Sequence, residues 1–314
     1  MPRLRTPLAD GLLPAVFSRA EAAAAGVTDE RLRAPDIRTV VRGFYARAGA
    51  EILERDIVAA ITRNDPRVAA CGPTASRLWG FPQISGASAW MFTDSASRIH
   101  LTDPVVRRRN TKKLRWRNLD LTSSDLVEVG GARLTPRVRT WVDLAATLST
   151  DDLTAIGDHL VRKPRGMFEG RGAPHATLDQ LRQAVLRHHG RGALRLRHSL
   201  EDIRIGSDSP AETRLRLGVL RAGLPAPALN TAIRDDGIWL GEPDLSWPEW
   251  KVCVEHEGPT HLTKEQQEED IQRTELRNEE GWIEVRTVAK DLRSSCARGV
   301  ERIATALRRH GWRG

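Results

Sequence analysis

The chain has 314 residues, 40% hydrophobic and 29% charged, with a formal net charge of +8; this length supports two or three domains with proper cores, and this composition excludes a disordered chain. No apolar run nears the roughly 20 residues that cross a bilayer and the N-terminus lacks signal-peptide features, so no membrane partner is expected. The distant cysteines Cys71, Cys253 and Cys296 form neither a disulfide framework nor a zinc spacing, which fits a cytoplasmic protein.

Residues 1–49 read as a winged helix-turn-helix. Ser18 caps a short helix over Arg19–Ala25 with Glu21 at capping-box spacing, and Gly26 ends it. Thr28 caps a second helix running through Arg33 or Ala34, with Asp29 and Glu30 in its first turn. IRTVVRGFYAR then reads as a hairpin-like wing turning at Arg42-Gly43. Arg31, Arg33, Arg38 and Arg42 would contact DNA phosphates, which position a reader without specifying sequence. Pro35 and the acidic start of the second helix argue against base reading; a helical cap with a packing wing is the competing reading.

Residues 50–190 read as a mixed α/β middle domain. CGPTASRLWGF gives a helix with Pro73 in its first turn and Gly80 as its stop. ASRIHLTDP and KKLRWRNLDL alternate like strands, and RTWVDLAATLSTDDLTAIGDHLVR gives two apolar-faced helices. RRRNTKKLRWR (107–117) mixes cations with Trp116; it reads as a charged hairpin on a solvated face or as a nucleic-acid contact. His100 and His159 read as structural. The Gly-, Arg- and His-rich stretch 163–198 reads as a linker with a short helix inside it.

The third domain, 199–314, begins with a helix over SPAETRLRLGVLRAGL, capped by Ser209 and stopped by Gly223. PALNTAIRD and GIWLGEPDLSW make strands about a turn at Asp236-Gly237, and WKVCVEHE makes a third. A polar helix, the strand IEVRTV and a last amphipathic helix complete the order helix, three strands, helix, strand, helix. Along residues 250–257 Lys251, Cys253, Glu255 and Glu257 share one face. Asp244, with ten residues between it and Glu255, reaches the same edge. Carboxylates this close repel one another unless a cation joins them, and Mg²⁺ favours one or two carboxylates with waters and phosphate oxygens. Such a metal neutralises phosphate charge and acidifies a bound water, and His261 could move the proton.

Pro243-Asp244, ten residues, then Glu255-His256-Glu257 resembles the PD-(D/E)XK nuclease motif, and the order of elements is similar to that superfamily's αβββαβ, restriction-endonuclease-like core. VEHEGPTH, DIQR and GWIEVR resemble the branch of very-short-patch-repair endonucleases. The resemblance covers about the last 110 residues. It implies that Asp244 and Glu255 hold Mg²⁺ or Mn²⁺, that Glu212 supports it, that His261 acts on water or phosphate, and that Arg273 contacts phosphate or orients a carboxylate. Glu257 stands where the motif has lysine, a departure that relatives in this branch share. GFYARAG, CGPTASRLWGF and TPRVRTWVDLA resemble proteins that join an AbiEi-type winged-helix antitoxin region to such a nuclease-like domain.

The expectation is therefore an α/β (α+β) multidomain, metal-dependent endonuclease that binds DNA and hydrolyses its phosphodiester bonds in repair or defence. Charge follows that division: residues 1–200 hold 32 basic and 20 acidic side chains, residues 201–314 hold 17 and 21. The rival expectation is a non-catalytic winged-helix regulator or antitoxin-like protein with a decayed nuclease domain. A homodimer and a toxin partner of unknown identity are open under either. Glu212, three residues after Ser209, has the competing role of completing a capping box.

Overall fold

The computed structural model describes residues 11, 13–82, 98–122, 125–165, 169–258 and 264–314, with residues 264–266 described by backbone alone. These residues form a mixed α/β structure that divides into two compact units, one holding the described residues up to Gly80 and 98–143, the other Phe81, Pro82 and everything from Leu144 onward. No described helix is long and apolar enough to cross a membrane. The three cysteines are free and buried.

The first unit opens with β1 (Phe17–Ser18), α1 (Arg19–Ala24), a 3-10 turn (Arg31–Arg33), β2 (Ile37–Val41) and β3 (Phe44–Arg47), the strands ordered β1-β3-β2. The capping box forms: Ser18 Oγ accepts from the Glu21 amide and the Glu21 carboxylate accepts from the Ser18 amide. The hairpin turns at Arg42-Gly43, with Gly43 at φ +85°. The second helix does not form. Thr28 Oγ1 does accept from the Arg31 amide at 3.2 Å, but Pro35 lies too close for an α-helical turn, and Leu32 alone anchors the 3-10 turn in the core.

Next come α2 (Glu54–Asn64), β4 (Ala69–Ala70), α3 (Gly72–Leu78), β5 (Ile99–Thr102), β6 (Leu114–Arg117), β7 (Val127–Val129), β8 (Ala132–Leu134) and α4 (Arg137–Leu144). The strands make a five-stranded sheet ordered β6-β5-β4-β8-β7, in which β6 is an edge strand running parallel to β5. Val58, Ile61, Val68, Leu101 and Leu134 form the core between this sheet and the helices. His100 is half-buried on the other face of β5, and that burial, with nearby arginine charges, lowers its pKa to about 4.

The second unit starts with α5 (Thr150–Val161), α6 (Leu178–Arg187) and α7 (Ala193–Asp202). Residues 163–198 therefore hold most of two packed helices rather than a linker with one short helix. Leu181, Val185 and Leu196 are their buried apolar positions, too sparse among arginines and histidines to stand out as an apolar stripe. The unit continues with α8 (Pro210–Arg221), β9 (Ala228–Leu229), β10 (Ile233–Asp235), β11 (Ile238–Gly241), β12 (Leu245–Trp247), β13 (Val252–Glu257), α9 (Lys264–Glu279), β14 (Ile283–Val288) and α10 (Arg293–Arg309), whose first turn is left-handed at Ser294–Cys296.

Two expected strands are each broken in two. Asn230 at φ +42° separates β9 from β10. Gly241 at φ +100° and Pro243, which has no amide hydrogen to offer a ladder, separate β11 from β12. The result is a four-stranded sheet ordered β14-β13-β12-β9 and a separate β10-β11 hairpin turning at Asp236-Gly237. β13 and β14 are parallel, joined through α9. Leu215, Val219, Leu245, Val254, Ile303 and Leu307 fill the core between this sheet, α8 and α10.

One buried ion pair ties α5 to α8. Asp158 Oδ2 accepts from Arg216 Nη2 at 2.7 Å and Thr213 Oγ1 at 2.8 Å, while Oδ1 accepts from the Arg204 amide at 2.7 Å. Burial nonetheless raises the Asp158 pKa, outweighing the attraction of Arg216. Asp158→Ala would leave the guanidinium buried and uncompensated, at a cost of about 3–5 kcal/mol. Urea denaturation should register that loss, and the double variant Asp158→Leu/Arg216→Met should recover most of it. Equal stability of Asp158→Ala and the parent chain would disprove the linkage.

Candidate functional site

Three carboxylates expected from the sequence converge in the second unit. Asp244 sits in the loop that Gly241 and Pro243 force between β11 and β12, and its Oδ2 accepts from the His256 amide on β13 at 2.6 Å. Glu255 lies on β13 with its side chain on the face opposite Val252 and Val254. Glu212 lies in the first turn of α8, where its amide donates to Ser209 Oγ at 3.2 Å. Its carboxylate turns to the Asp208 amide rather than that of Ser209: Oε2 accepts from Asp208 N and from Asn230 Nδ2, each at 2.7 Å.

Asn230 links the pieces. Its amide donates to the Asp244 carbonyl at 3.2 Å, and its side chain bonds both Glu212 and the Gly206 carbonyl. The φ of +42° that interrupts the sheet brings both groups into reach, and asparagine tolerates that conformation better than most residues.

The electrostatics follow from burial. The Asp244 carboxyl is pushed up to about 8, first by desolvation and then by the charge of Glu212, with Glu255 adding to it; the His256 amide and Arg165 pull the other way without prevailing. Glu212 is raised chiefly by burial, with Asp208 contributing. Glu255 is raised by burial despite Arg277, whose Nη1 donates to Glu255 Oε1 at 2.9 Å. The same Nη1 bonds Glu284 Oε2 at 2.7 Å and Nε bonds the Leu240 carbonyl at 2.9 Å. Gly241 is required for this packing, because a Cβ there would lie 2.9 Å from Arg277 Nη2 and 2.7 Å from Arg273 Cδ.

Glu257 does not join the cluster. It is half-exposed and paired to Arg286 Nη1 at 3.2 Å, and Arg286 also holds Glu284 at 2.6 Å and Asp270 at 2.8 Å. Glu257, Asp270 and Arg286 line a cleft of about 430 Å³ with Glu255, His256 and Ile271. Lys251, expected on the carboxylate face of the strand, instead ends the preceding 3-10 turn at φ +46° and pairs with Asp235 at 2.6 Å. Arg273 stands 3.8 Å from Asp270, and its charge lowers the Glu255 pKa. His261 lies outside the described residues. In the first unit Arg31 is held by Asp36 through two bonds of 2.7 and 2.6 Å, and Arg38 donates to the Ala50 carbonyl at 2.8 Å; Arg33 and Arg42 are exposed.

Sequence reasoning did not single out Asn230, His256, Arg277, Glu284 or Arg286. Glu284 and Arg286 had a legible signal: they alternate with the apolar residues of β14, so one face of a strand paired on its inner side is charged. Arg277 had a weaker one, four residues after Arg273 and thus on the same helix face.

Among the described residues no group of three or more His, Cys, Asp or Glu side chains is arranged to hold a metal ion. One donor remains open there: Asp244 Oδ1 accepts no hydrogen bond from any described residue.

Two uncharacterized proteins of Mycobacterium tuberculosis strains, MT2308 and Rv2248, are each 28% identical to this chain over 274 residues, covering 85% of it and 91% of their own length. No family model matches the chain. No solved structure matches it.

The raised Asp244 pKa has a sign that can be checked. The folded chain keeps this proton up to about pH 8, whereas the ordinary value is 3.8. Between those values the folded state binds more protons than the unfolded one, so its stability falls as pH rises. Asp244→Asn, which keeps an acceptor for the His256 amide without the charge, should match the parent chain's melting temperature near pH 4 and exceed it by a few degrees near pH 8 in chelator. A gap that fails to widen between those values would refute the assignment.

Proposed function

We propose that the second unit hydrolyses phosphodiester bonds of DNA with the aid of a divalent cation. The observation that carries this reading is the convergence of Glu212, Asp244 and Glu255, with Asp244 holding its proton to about pH 8. Such a cluster takes up a hard cation in exchange for protons, and the donor set fits Mg²⁺ or Mn²⁺, which need only one or two carboxylates beside waters and phosphate oxygens. Asp244 and Glu255 would hold it, with Glu212 as support. When bound, the cation would neutralise phosphate charge and acidify the water that attacks phosphorus.

The chain's own groups do the rest. The His256 amide fixes the Asp244 carboxylate, and Asn230 fixes Glu212. Arg277 holds Glu255 in place through a bond to Oε1, and no described residue donates a hydrogen bond to Oε2. His261 would shuttle the proton and Arg273 would meet the phosphate. Glu257, in the motif's lysine position, contributes through Arg286 rather than at the carboxylates.

One observation favours the rival reading of a non-catalytic DNA-binding regulator. Glu255 already carries a permanent internal counter-ion in Arg277, so half of the expected ligand pair is compensated without metal.

Incubating supercoiled, linear, mismatched and single-stranded DNA with Mg²⁺ or Mn²⁺ separates the two. Cutting should appear with the parent chain and fall at least about 100-fold in Asp244→Ala, and Mg²⁺ should raise the melting temperature of the parent chain alone. No cutting on any substrate, with no Mg²⁺ effect on melting and DNA binding intact, would establish the regulator instead.

A further inference from the structure

The first unit presents a basic arm at the open edge of its five-stranded sheet. Residues 104–119 contain seven arginines and lysines and no acid. Three of the seven are committed to the protein's own structure beyond their immediate neighbours. Arg108 pairs with Asp103 at 2.7 Å and with Asp65, and its guanidinium stacks 4.7 Å from the Trp116 ring centre. Lys113 Nζ donates to the Val40 carbonyl at 2.6 Å, and Arg117 donates to the Asp143 carbonyl at 3.5 Å. Arg107, Arg109, Lys112 and Arg115 are exposed and have no ion-pair or hydrogen-bond partner among the described residues.

The arm that carries these four cations is fastened at several points. Asp103 accepts from the amides of Val105 and Val106 at 3.0 and 2.9 Å as well as from Arg108. Asn110 Oδ1 accepts from the Trp116 amide at 2.7 Å, and Thr111 Oγ1 from the Leu114 amide at 2.9 Å. These bonds fold the loop back onto β6, so the four cations are presented from a preordered backbone and lose less entropy on binding than a free tail would.

We propose that this arm is a binding surface for the phosphate backbone of double-stranded DNA. Four unpaired cations without an intervening acid match a polyanion. The arm's single aromatic ring, Trp116, is covered by Arg108, so no exposed ring offers the stacking platform that single strands and splayed RNA bases require. The arm contacts phosphates and therefore positions the duplex without reading its sequence. By contrast with the arm, two of the four wing arginines, Arg31 and Arg38, are engaged within the fold. The inference rests on the DNA part of the function proposed above and not on hydrolysis.

The test is the salt dependence of duplex binding in chelator, with the full chain and the triple variant Arg109→Gln/Lys112→Gln/Arg115→Gln. Each lost phosphate contact removes about 0.9 from the slope of log K against log salt, so the variant should lose about 2.7 and bind at least tenfold more weakly near 150 mM salt. Its melting temperature should not change, because none of the three side chains has a partner. A second triple variant, Arg187→Gln/Arg197→Gln/Arg309→Gln, removes the same net charge from other exposed positions and should retain the parent slope. An unchanged slope in the arm variant, an equal loss in the second variant, or tighter binding of single-stranded DNA or of RNA than of duplex DNA would each overturn the proposal. No cleavage enters the measurement, so its failure and a failure of the hydrolase reading are separate results.

Discussion

The second unit is organised by the cost of burying carboxylates beside one another. A carboxylate removed from water must be bonded, paired or protonated. Glu255, Glu284 and Asp158 are paired with arginines that are themselves inside the fold. Glu212 and Asp244 are held by neutral donors instead: two backbone amides and the side chain of Asn230. Neutral donors fix geometry but supply only part of the compensation a full positive charge would, and Asp244 responds by keeping its proton to about pH 8. The backbone interruptions at Asn230 and at Gly241–Pro243 serve this arrangement. The break at Gly241–Pro243 takes Asp244 off the ladder, and the break at Asn230 lets its side chain reach Glu212.

The legible part of the sequence was the part governed by local chemistry. Ser18 with Glu21, Ser209 with Pro210, and Asp236-Gly237 are short-range devices whose partners lie within a few residues, and each forms as expected. The alternation along β13 placed Glu255 correctly because period two needs no knowledge of the rest of the fold. It failed at Lys251, where a left-handed residue closes the turn before the strand begins. It put Glu257 beside Glu255, and both line one cleft, where Arg286 from the neighbouring strand pairs with Glu257.

The less legible part depends on long-range partners. Arg277 meets Glu255 twenty-two positions away and Leu240 thirty-seven away, and no spacing rule links them. The helices α6 and α7 were hidden for a related reason. Their buried residues are few, and their surfaces carry the arginine and histidine that sequence patterns associate with linkers. Asp158 and Arg216 gave no periodic signal, since a buried ion pair at distant positions looks like two ordinary surface charges until the fold brings them together.

The distribution of compensation is itself an argument about purpose. Arg277 serves Glu255 and Glu284, and Arg286 serves Glu257, Glu284 and Asp270, so these four acids each have a fixed cation within 3.2 Å. Among the described residues Asp244 and Glu212 have none at that range; Asp244 feels only the field of Arg165, which is bonded to Asp208 and Asn230. A chain under pressure for stability alone would place an amide at position 244, which keeps the acceptor for His256 and avoids the charge. Retaining an acid there costs stability over the pH range where the proton would otherwise leave. A cation bound in the way proposed above would offset that cost. The uncompensated pair thus sets Asp244 and Glu212 apart from the networks around them, which hold their charges by permanent ion pairs.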